Sequence, residues 1–124
     1  MNVVDSSGWL EYFADGPNGS FFAPAIEASD RVVVPTLSIR EVFKRTLQQG
    51  SESDALMAPA CMQQGQVVAL DASLALNAAR LSLELRMPLA DSVILATARA
   101  YQAVLWTQDA DFEGIEGVKY TTKR

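Results

Sequence analysis

Short β-branched runs alternate with helical stretches along this chain, and this alternation constrains the fold more than any other feature. Strands are predicted at residues 2–4, 31–34, 66–70, 103–107 and 118–121. The first three of these are predicted to be buried. Because strands that alternate with helices favour a parallel sheet covered on both faces, the sequence predicts an α/β fold with a largely parallel sheet between helices.

Helices are predicted between these strands from the spacing of apolar residues and from end signals. They span residues 7–14, 18–28, 36–49, 51–64, 72–86 and 89–101. Gly50 ends the third helix, and Ser51 with Asp54 forms a weak relative of a capping box at the start of the fourth. The fifth has one apolar stripe, which consists of Leu74, Ala78, Leu81 and Leu85. The sixth is apolar almost throughout after Asp91, which predicts burial on more than one side.

Length and composition favour one globular domain, residues 1–124. The apolar runs are too short to span a bilayer, and no basic segment precedes an apolar one at the N-terminus. Neither a membrane span nor a signal peptide is therefore expected. Cys61 is the only cysteine, which excludes an internal disulfide. A cytoplasmic location is expected for such a chain.

The chain has no histidine, so any metal or acid–base chemistry must use mainly carboxylate oxygens. Mg²⁺ and Mn²⁺ suit sites made only of oxygen, whereas a zinc site is not expected. A carboxylate-held pair of such ions is the usual apparatus for phosphodiester hydrolysis. The formal net charge of −5 argues against tight, non-specific DNA binding. It does not argue against a nucleic-acid enzyme, because bound cations neutralise a carboxylate cluster and present positive charge to a phosphate.

Four acids stand in distinctive settings. Asp5 directly follows the first strand, Glu41 lies in the opening turns of the helix after the second, and Asp109 comes two residues beyond the fourth. Because ligands bind at the carboxyl ends of strands in such sheets, we expect these three acids at one edge. Asp91 begins a helix, and since two helices separate the third and fourth strands, its edge is not fixed by counting elements. Three hydroxyl residues are placed to orient the acids: Ser6, Ser7 and Thr107.

Each acid alone also has a purely structural interpretation. Asp5 and Asp91 suit helix N-termini, where an acid caps the backbone or complements the helix dipole. Glu41 suits a solvated helix face, and Asp109 suits a turn. For Asp71, which begins a predicted helix, the cap is the preferred interpretation. The combination favours a site, because converging carboxylates repel one another unless cations are bound.

Four blocks of the sequence, in this order, resemble those of PIN-domain nucleases, and most of all the VapC toxin ribonucleases of bacterial VapBC toxin–antitoxin modules. VVDSSGWLEYF resembles the opening strand with the first acid, Asp5. REVF resembles the helical segment that carries Glu41, and MPLADSVILATARAY resembles the block with the third acid, Asp91. LWTQDADFEGI resembles the closing motif, with Asp109 as the fourth acid. The resemblance covers essentially the whole chain.

The resemblance implies a three-layer PIN-like fold with a mostly parallel sheet of about five strands. It further implies a Mg²⁺- or Mn²⁺-dependent endoribonuclease that is the toxic component of a type II toxin–antitoxin system. The implied partners are an RNA substrate, a cognate antitoxin protein that occupies the active-site groove, and a second copy in a homodimer. The implied catalytic and metal-binding residues are Asp5, Glu41, Asp91 and Asp109. The accessory residues are Asp111, Thr107 and Ser6.

Two other functions stay open at the level of sequence. A flavodoxin-like phospho-acceptor domain also uses Mg²⁺ and aspartates at strand ends, but it normally has paired acids near its first strand and a lysine after a late one. Here Asp5 is followed by Ser6 and Ser7. A non-catalytic module would instead receive a basic peptide on its acidic edge. The family resemblance ranks the nuclease above both.

Overall fold

Five short strands and seven helices build the structure, a computed structural model that describes residues 1–124. The strands are β1 (Asn2–Val4), β2 (Val33–Pro35), β3 (Gln66–Val68), β4 (Val104–Thr107) and β5 (Val118–Tyr120). The helices are α1 (Ser6–Phe13), α2 (Gly19–Glu27), α3 (Thr36–Gln49), α4 (Glu52–Ala55), α5 (Met57–Met62), α6 (Ala72–Leu85) and α7 (Leu89–Ala100). Short 3₁₀ helices cover Ser29–Arg31 and Ala110–Phe112. All five predicted strands are present, close to their predicted bounds.

Every strand pair in the structure is parallel. Strand β4 lies between β1 and β5 in one hydrogen-bonded group, while β2 and β3 pair with each other. A single parallel bridge between Asn2 and Val32 joins the two groups. The strands therefore lie in the order β3-β2-β1-β4-β5, which confirms the predicted parallel sheet.

Helices cover both faces of the sheet, as alternate residues of its central strands show. Val3 and Val33 belong to one buried cluster, which is built mainly with α6 and α7. Val4 and Val34 belong to a second cluster, in which Phe22 of α2 takes part. Successive side chains of a strand point to opposite faces. The two clusters are therefore separate apolar layers, and the fold has the three layers that the resemblance implies.

Helix α7 lies deep in the protein, as its apolar sequence predicts. Residues 92–98 are all buried. The predicted stripe of α6 is buried at Leu74, Ala78 and Leu81. Leu85, the last residue of this stripe and of α6, is 39% exposed. No helix of the chain has the length and apolar character needed to cross a membrane.

Two predicted details are wrong. Strand β3 is not buried: Gln66 and Val67 are exposed, because β3 pairs only with β2 and forms an edge of the sheet. The single helix predicted at residues 51–64 is divided into α4 and α5. Pro59 has no N–H to donate to the carbonyl four residues earlier. The helix therefore ends before Leu56 and restarts, so that Pro59 lies in the first turn of α5.

Close packing at Gly8 generates a prediction about stability. A Cβ atom at Gly8 would lie 2.6 Å from Cε1 of Phe22 and 2.8 Å from Cγ1 of Val4. We expect Gly8→Ala to lower the free energy of unfolding by about 1–2 kcal/mol, since overpacking outweighs the better helix propensity of alanine. Urea unfolding measures the change. The control is Gly50→Ala, where a Cβ meets nothing within 4 Å. Equal stability of the two variants would contradict the close packing.

Candidate metal centre

The carboxyl ends of β1 and β4 lie side by side and bring the first acids together. Val4 pairs with Trp106 in the parallel register, so the next residues, Asp5 and Thr107, are neighbours. The Asp5 backbone N–H also donates to the Trp106 carbonyl at 3.0 Å. Asp109 follows two residues later. The predicted convergence of strand-end acids is thus a direct product of strand pairing.

The Thr107 hydroxyl connects two of these acids. It donates to Oδ2 of Asp5 at 2.9 Å and accepts from the backbone N–H of Asp109, also at 2.9 Å. The Ser7 hydroxyl donates to the same Asp5 oxygen at 3.1 Å. Asp5 occupies the N-cap position of α1, but its side chain makes no capping hydrogen bond. The Asp5 carboxylate is therefore held by hydroxyl groups, and the cap interpretation is wrong for this residue.

Asp5 is only 5% exposed. Burial raises the pKa of its carboxyl above the ordinary value, because the charged form is the more costly one to desolvate. Hydrogen bonds from Thr107 and Ser7 oppose this change, and the charge of Asp109 adds to it. The hydroxyl donors thus stabilise an anion that its surroundings otherwise disfavour.

Three aspartates form a close group at this edge. One oxygen from each of Asp91, Asp109 and Asp111 lies within 4.8 Å of the other two. Oδ1 of Asp109 accepts from the backbone N–H of Asp111 at 2.9 Å, at the start of the 3₁₀ turn that follows β4. This group includes Asp111, to which the family resemblance assigns only an accessory position. It does not include Asp5 or Glu41.

Asp91 faces the same edge as the strand-end acids, which settles the point that the sequence leaves open. Its pKa is raised from 3.8 to about 7. Burial is the largest cause, and the charges of Asp109, Asp5 and Asp111 add to it in that order. The four aspartates are thus close enough for their charges to interact.

Glu41, on α3, is linked to this edge through Ser6. The Ser6 hydroxyl donates to its Oε1 atom at 2.6 Å, and Ser6 directly follows Asp5. Glu41 is half-buried, so it is not simply a residue of a solvated face. Asp71 is different: its side chain accepts from the Leu74 N–H at 2.8 Å and caps α6, as predicted.

Sequence inspection misses a polar pair beside these acids. Gln108 and Asn18 are both buried, and the Asn18 amide donates to Oε1 of Gln108 at 2.9 Å. The same amide donates to the Thr122 carbonyl at 3.0 Å, so it also holds the C-terminal segment. The partners are far apart in the chain, and no local motif indicates that they meet.

The donor atoms fit a hard divalent cation. The ligand atoms that this group offers a metal ion are all carboxylate oxygens, which Mg²⁺ and Mn²⁺ prefer. Burial is the main cause of the raised pKa of Asp91, and the neighbouring negative charge that adds to it is what a cation would neutralise. Asp91, Asp109 and Asp111 are placed to hold such an ion, Asp5 lies near them, and Glu41 is linked to Asp5 through the adjacent Ser6.

Comparison with known proteins agrees with this architecture. The family model described as PIN domain matches residues 3–118. A toxin–antitoxin complex from Klebsiella pneumoniae is 22% identical, with 96% of each chain covered and a TM-score of 0.81. The sarcin–ricin-loop-cleaving toxin VapC20 of Mycobacterium tuberculosis is 18% identical, with 94% of this chain and 95% of that chain covered and a TM-score of 0.74.

DNA-bound VapBC from Salmonella typhimurium is 14% identical, with 98% of each chain covered and a TM-score of 0.74. No curated protein sequence gives a significant match. The family model covers nearly the whole chain, and the structural relatives share its fold over almost their full length. This chain belongs to the PIN-domain family.

Proposed function

We propose that this chain is a metal-dependent endoribonuclease and the toxic component of a type II toxin–antitoxin system. One observation carries the proposal: acids from separate parts of the chain converge at the carboxyl edge of a parallel sheet, with three of their oxygens within 4.8 Å of one another. Membership of the PIN-domain family supports it. So does the similarity of fold to toxins, one of which cleaves the sarcin–ricin loop.

The metal ligands we propose are Asp5, Glu41, Asp91 and Asp109, joined by Asp111. A bound Mg²⁺ or Mn²⁺ would supply charge neutralisation for a phosphodiester and a lowered pKa for water. The chain's own contribution is placement. Thr107 fixes Asp5 relative to Asp109, and Ser6 fixes Glu41, so the carboxylates are positioned by short hydrogen bonds.

The proposed protein partner is a cognate antitoxin. Solved relatives with this fold include a toxin–antitoxin complex and VapBC assemblies. The flavodoxin-like alternative has less support, because its usual strand order is 2-1-3-4-5, whereas the order here is β3-β2-β1-β4-β5.

Loss of the Asp91 carboxylate tests the mechanism. We expect Asp91→Asn to reduce Mg²⁺-dependent RNA cleavage by at least about a hundredfold, because the ion loses an anionic ligand. Mn²⁺ binding, measured by calorimetry, should weaken in parallel. The control is Asp71→Asn, because Asp71 caps α6, a role that asparagine fulfils equally well. Wild-type cleavage by Asp91→Asn would refute the proposed mechanism.

The raised pKa of Asp91 predicts how stability depends on pH without metal. In the folded state its carboxyl keeps a proton that the unfolded chain loses above about pH 4. Its contribution to stability therefore declines as pH rises toward about 7. With a chelator present, Asp91→Asn should have a higher free energy of unfolding than wild type at about pH 8. The difference should be smaller at about pH 5.

Denaturant midpoints at both pH values measure the effect, and Mg²⁺ should reduce the advantage of the variant at the higher pH. A difference between the two proteins that does not change with pH would show that Asp91 is ionised in the folded protein throughout this range.

For the homodimer, we propose an apolar cleft between α6 and α7 as the contact surface. The cleft has a volume of about 610 Å³ and is lined by Leu70, Leu83 and Leu89 among others, but by no charged residue. Leu83 is 86% and Leu89 75% exposed. A two-fold axis would allow such projecting leucines of each copy to enter the cleft of the other, which buries both at once.

The homodimer generates its own prediction. Leu83→Glu should convert a dimer into a monomer in analytical ultracentrifugation, since a charge would be buried at the contact. Leu76→Glu is the matched control: Leu76 is 61% exposed on the same helix but does not line the cleft. The cleft is not the dimer contact if the two variants have the same molecular mass in solution.

A further inference from the structure

A polar channel leads away from the acidic group along α1 and the C-terminal segment. It consists of two adjoining clefts of about 510 and 360 Å³, both lined by Ser7, Gln108 and Lys123. Asp109, one of the acids, lines the first cleft. The second extends between α1 and α3 to Arg45 and Phe13. The channel thus connects the acids with a basic surface.

The outer part of the channel carries positive charge. Arg45 and Lys123 line the same 360 Å³ cleft from different parts of the chain, and both are exposed. The one carboxylate in this cleft, Glu11, is engaged internally. Its Oε1 atom accepts from the Asn18 N–H at 2.9 Å, and its Oε2 atom accepts from the Gln108 amide at 3.4 Å. Glu11 keeps its negative charge, so the cleft has two cations and one anion, and the cations are the groups available to an incoming anion.

Hydrogen bonds hold the backbone just before Lys123 in place, although the Lys123 side chain is exposed. The Thr121 N–H donates to the Thr107 carbonyl at 3.0 Å, and Asn18 donates to the Thr122 carbonyl at 3.0 Å. These bonds secure the two residues that precede Lys123. Lys119, by contrast, lies over the Trp106 ring at 4.1 Å from its centroid and already has an aromatic partner.

We propose that this channel binds the single-stranded RNA segment next to the scissile phosphate, with Arg45 and Lys123 contacting its phosphates. The inference rests on the proposed nuclease function. Grooves for single strands combine cations that follow the backbone with aromatic faces for the bases. Tyr120 lines the first cleft and Phe13 the second, where the Phe13 ring also stacks on Trp9. The cations compensate locally for a chain of net charge −5, whose acidic group would otherwise repel the strand.

The test compares two double variants that remove the same charge. Arg45→Ala/Lys123→Ala alters the channel. Arg80→Ala/Arg99→Ala is the matched control, because these exposed arginines line a separate cleft between α6 and α7. Each pair is introduced into the Asp91→Asn background, and binding of a fluorophore-labelled single-stranded RNA is measured by anisotropy over a range of salt concentrations. Each pair is also introduced into the otherwise wild-type chain to measure cleavage.

We expect the channel variant to lose on the order of tenfold in RNA affinity, and the slope of log affinity against log salt to fall by about 1.4 for two phosphate contacts. Its kcat/KM for cleavage should fall in parallel, whereas the control changes neither quantity. Thermal unfolding verifies that both variants are folded. The single variants Arg45→Gln and Lys123→Gln should each show part of the loss.

Equal RNA affinity of the two double variants would overturn the proposed role of the channel in RNA binding, even if the wild type cleaves RNA. Weaker antitoxin binding with unchanged RNA binding would assign the channel to a protein segment and would also overturn it. Absence of cleavage by the wild type would instead refute the proposed function. The binding measurement is independent of cleavage, so the two failures are distinguishable.

Discussion

Repulsion between carboxylates is the physical constraint on which the rest of this structure depends. Asp5, Asp91 and Asp109 interact strongly enough that the charge of one raises the pKa of another. Hydroxyl donors relieve part of this repulsion: Thr107 and Ser7 both donate to Asp5. At Asp91 burial raises the pKa to about 7, and the charges of the neighbouring aspartates add to the rise. The folded chain therefore holds an electrostatic strain that a divalent cation is suited to remove.

The scaffold that resists this repulsion is the sheet with its two apolar layers. The pairing of β1 with β4 fixes Asp5 beside Thr107. The packing of α3 and α7 against the sheet brings Glu41 and Asp91 to the same edge. The core residues lie on both faces of the strands, so the acids are supported from either side. Stability and site geometry consequently depend on the same contacts.

Much of this arrangement is predictable from the sequence, because strand ends of a parallel sheet meet at one edge. Asp5 and Asp109 follow strands, so local pattern suffices to place them. The edge that Asp91 faces depends on how α7 folds back onto α6 through a turn in which Arg86 has a φ of 55°, and on long-range packing. The proximity of Asp111 depends on a 3₁₀ turn. The Gln108–Asn18 bond joins residues 90 positions apart, so no local signal predicts it.

Residues 92–98 of helix α7 are buried in the core, and Asp91 lies in the first turn of the same helix. A ligand attached in this way cannot shift to suit ions of different radius unless buried side chains repack. Mg²⁺ requires near-octahedral geometry at short distances, whereas Ca²⁺ accepts longer and less regular coordination. In the metal site proposed for this chain, discrimination between these ions is therefore governed by hydrophobic packing several residues away from the carboxylates.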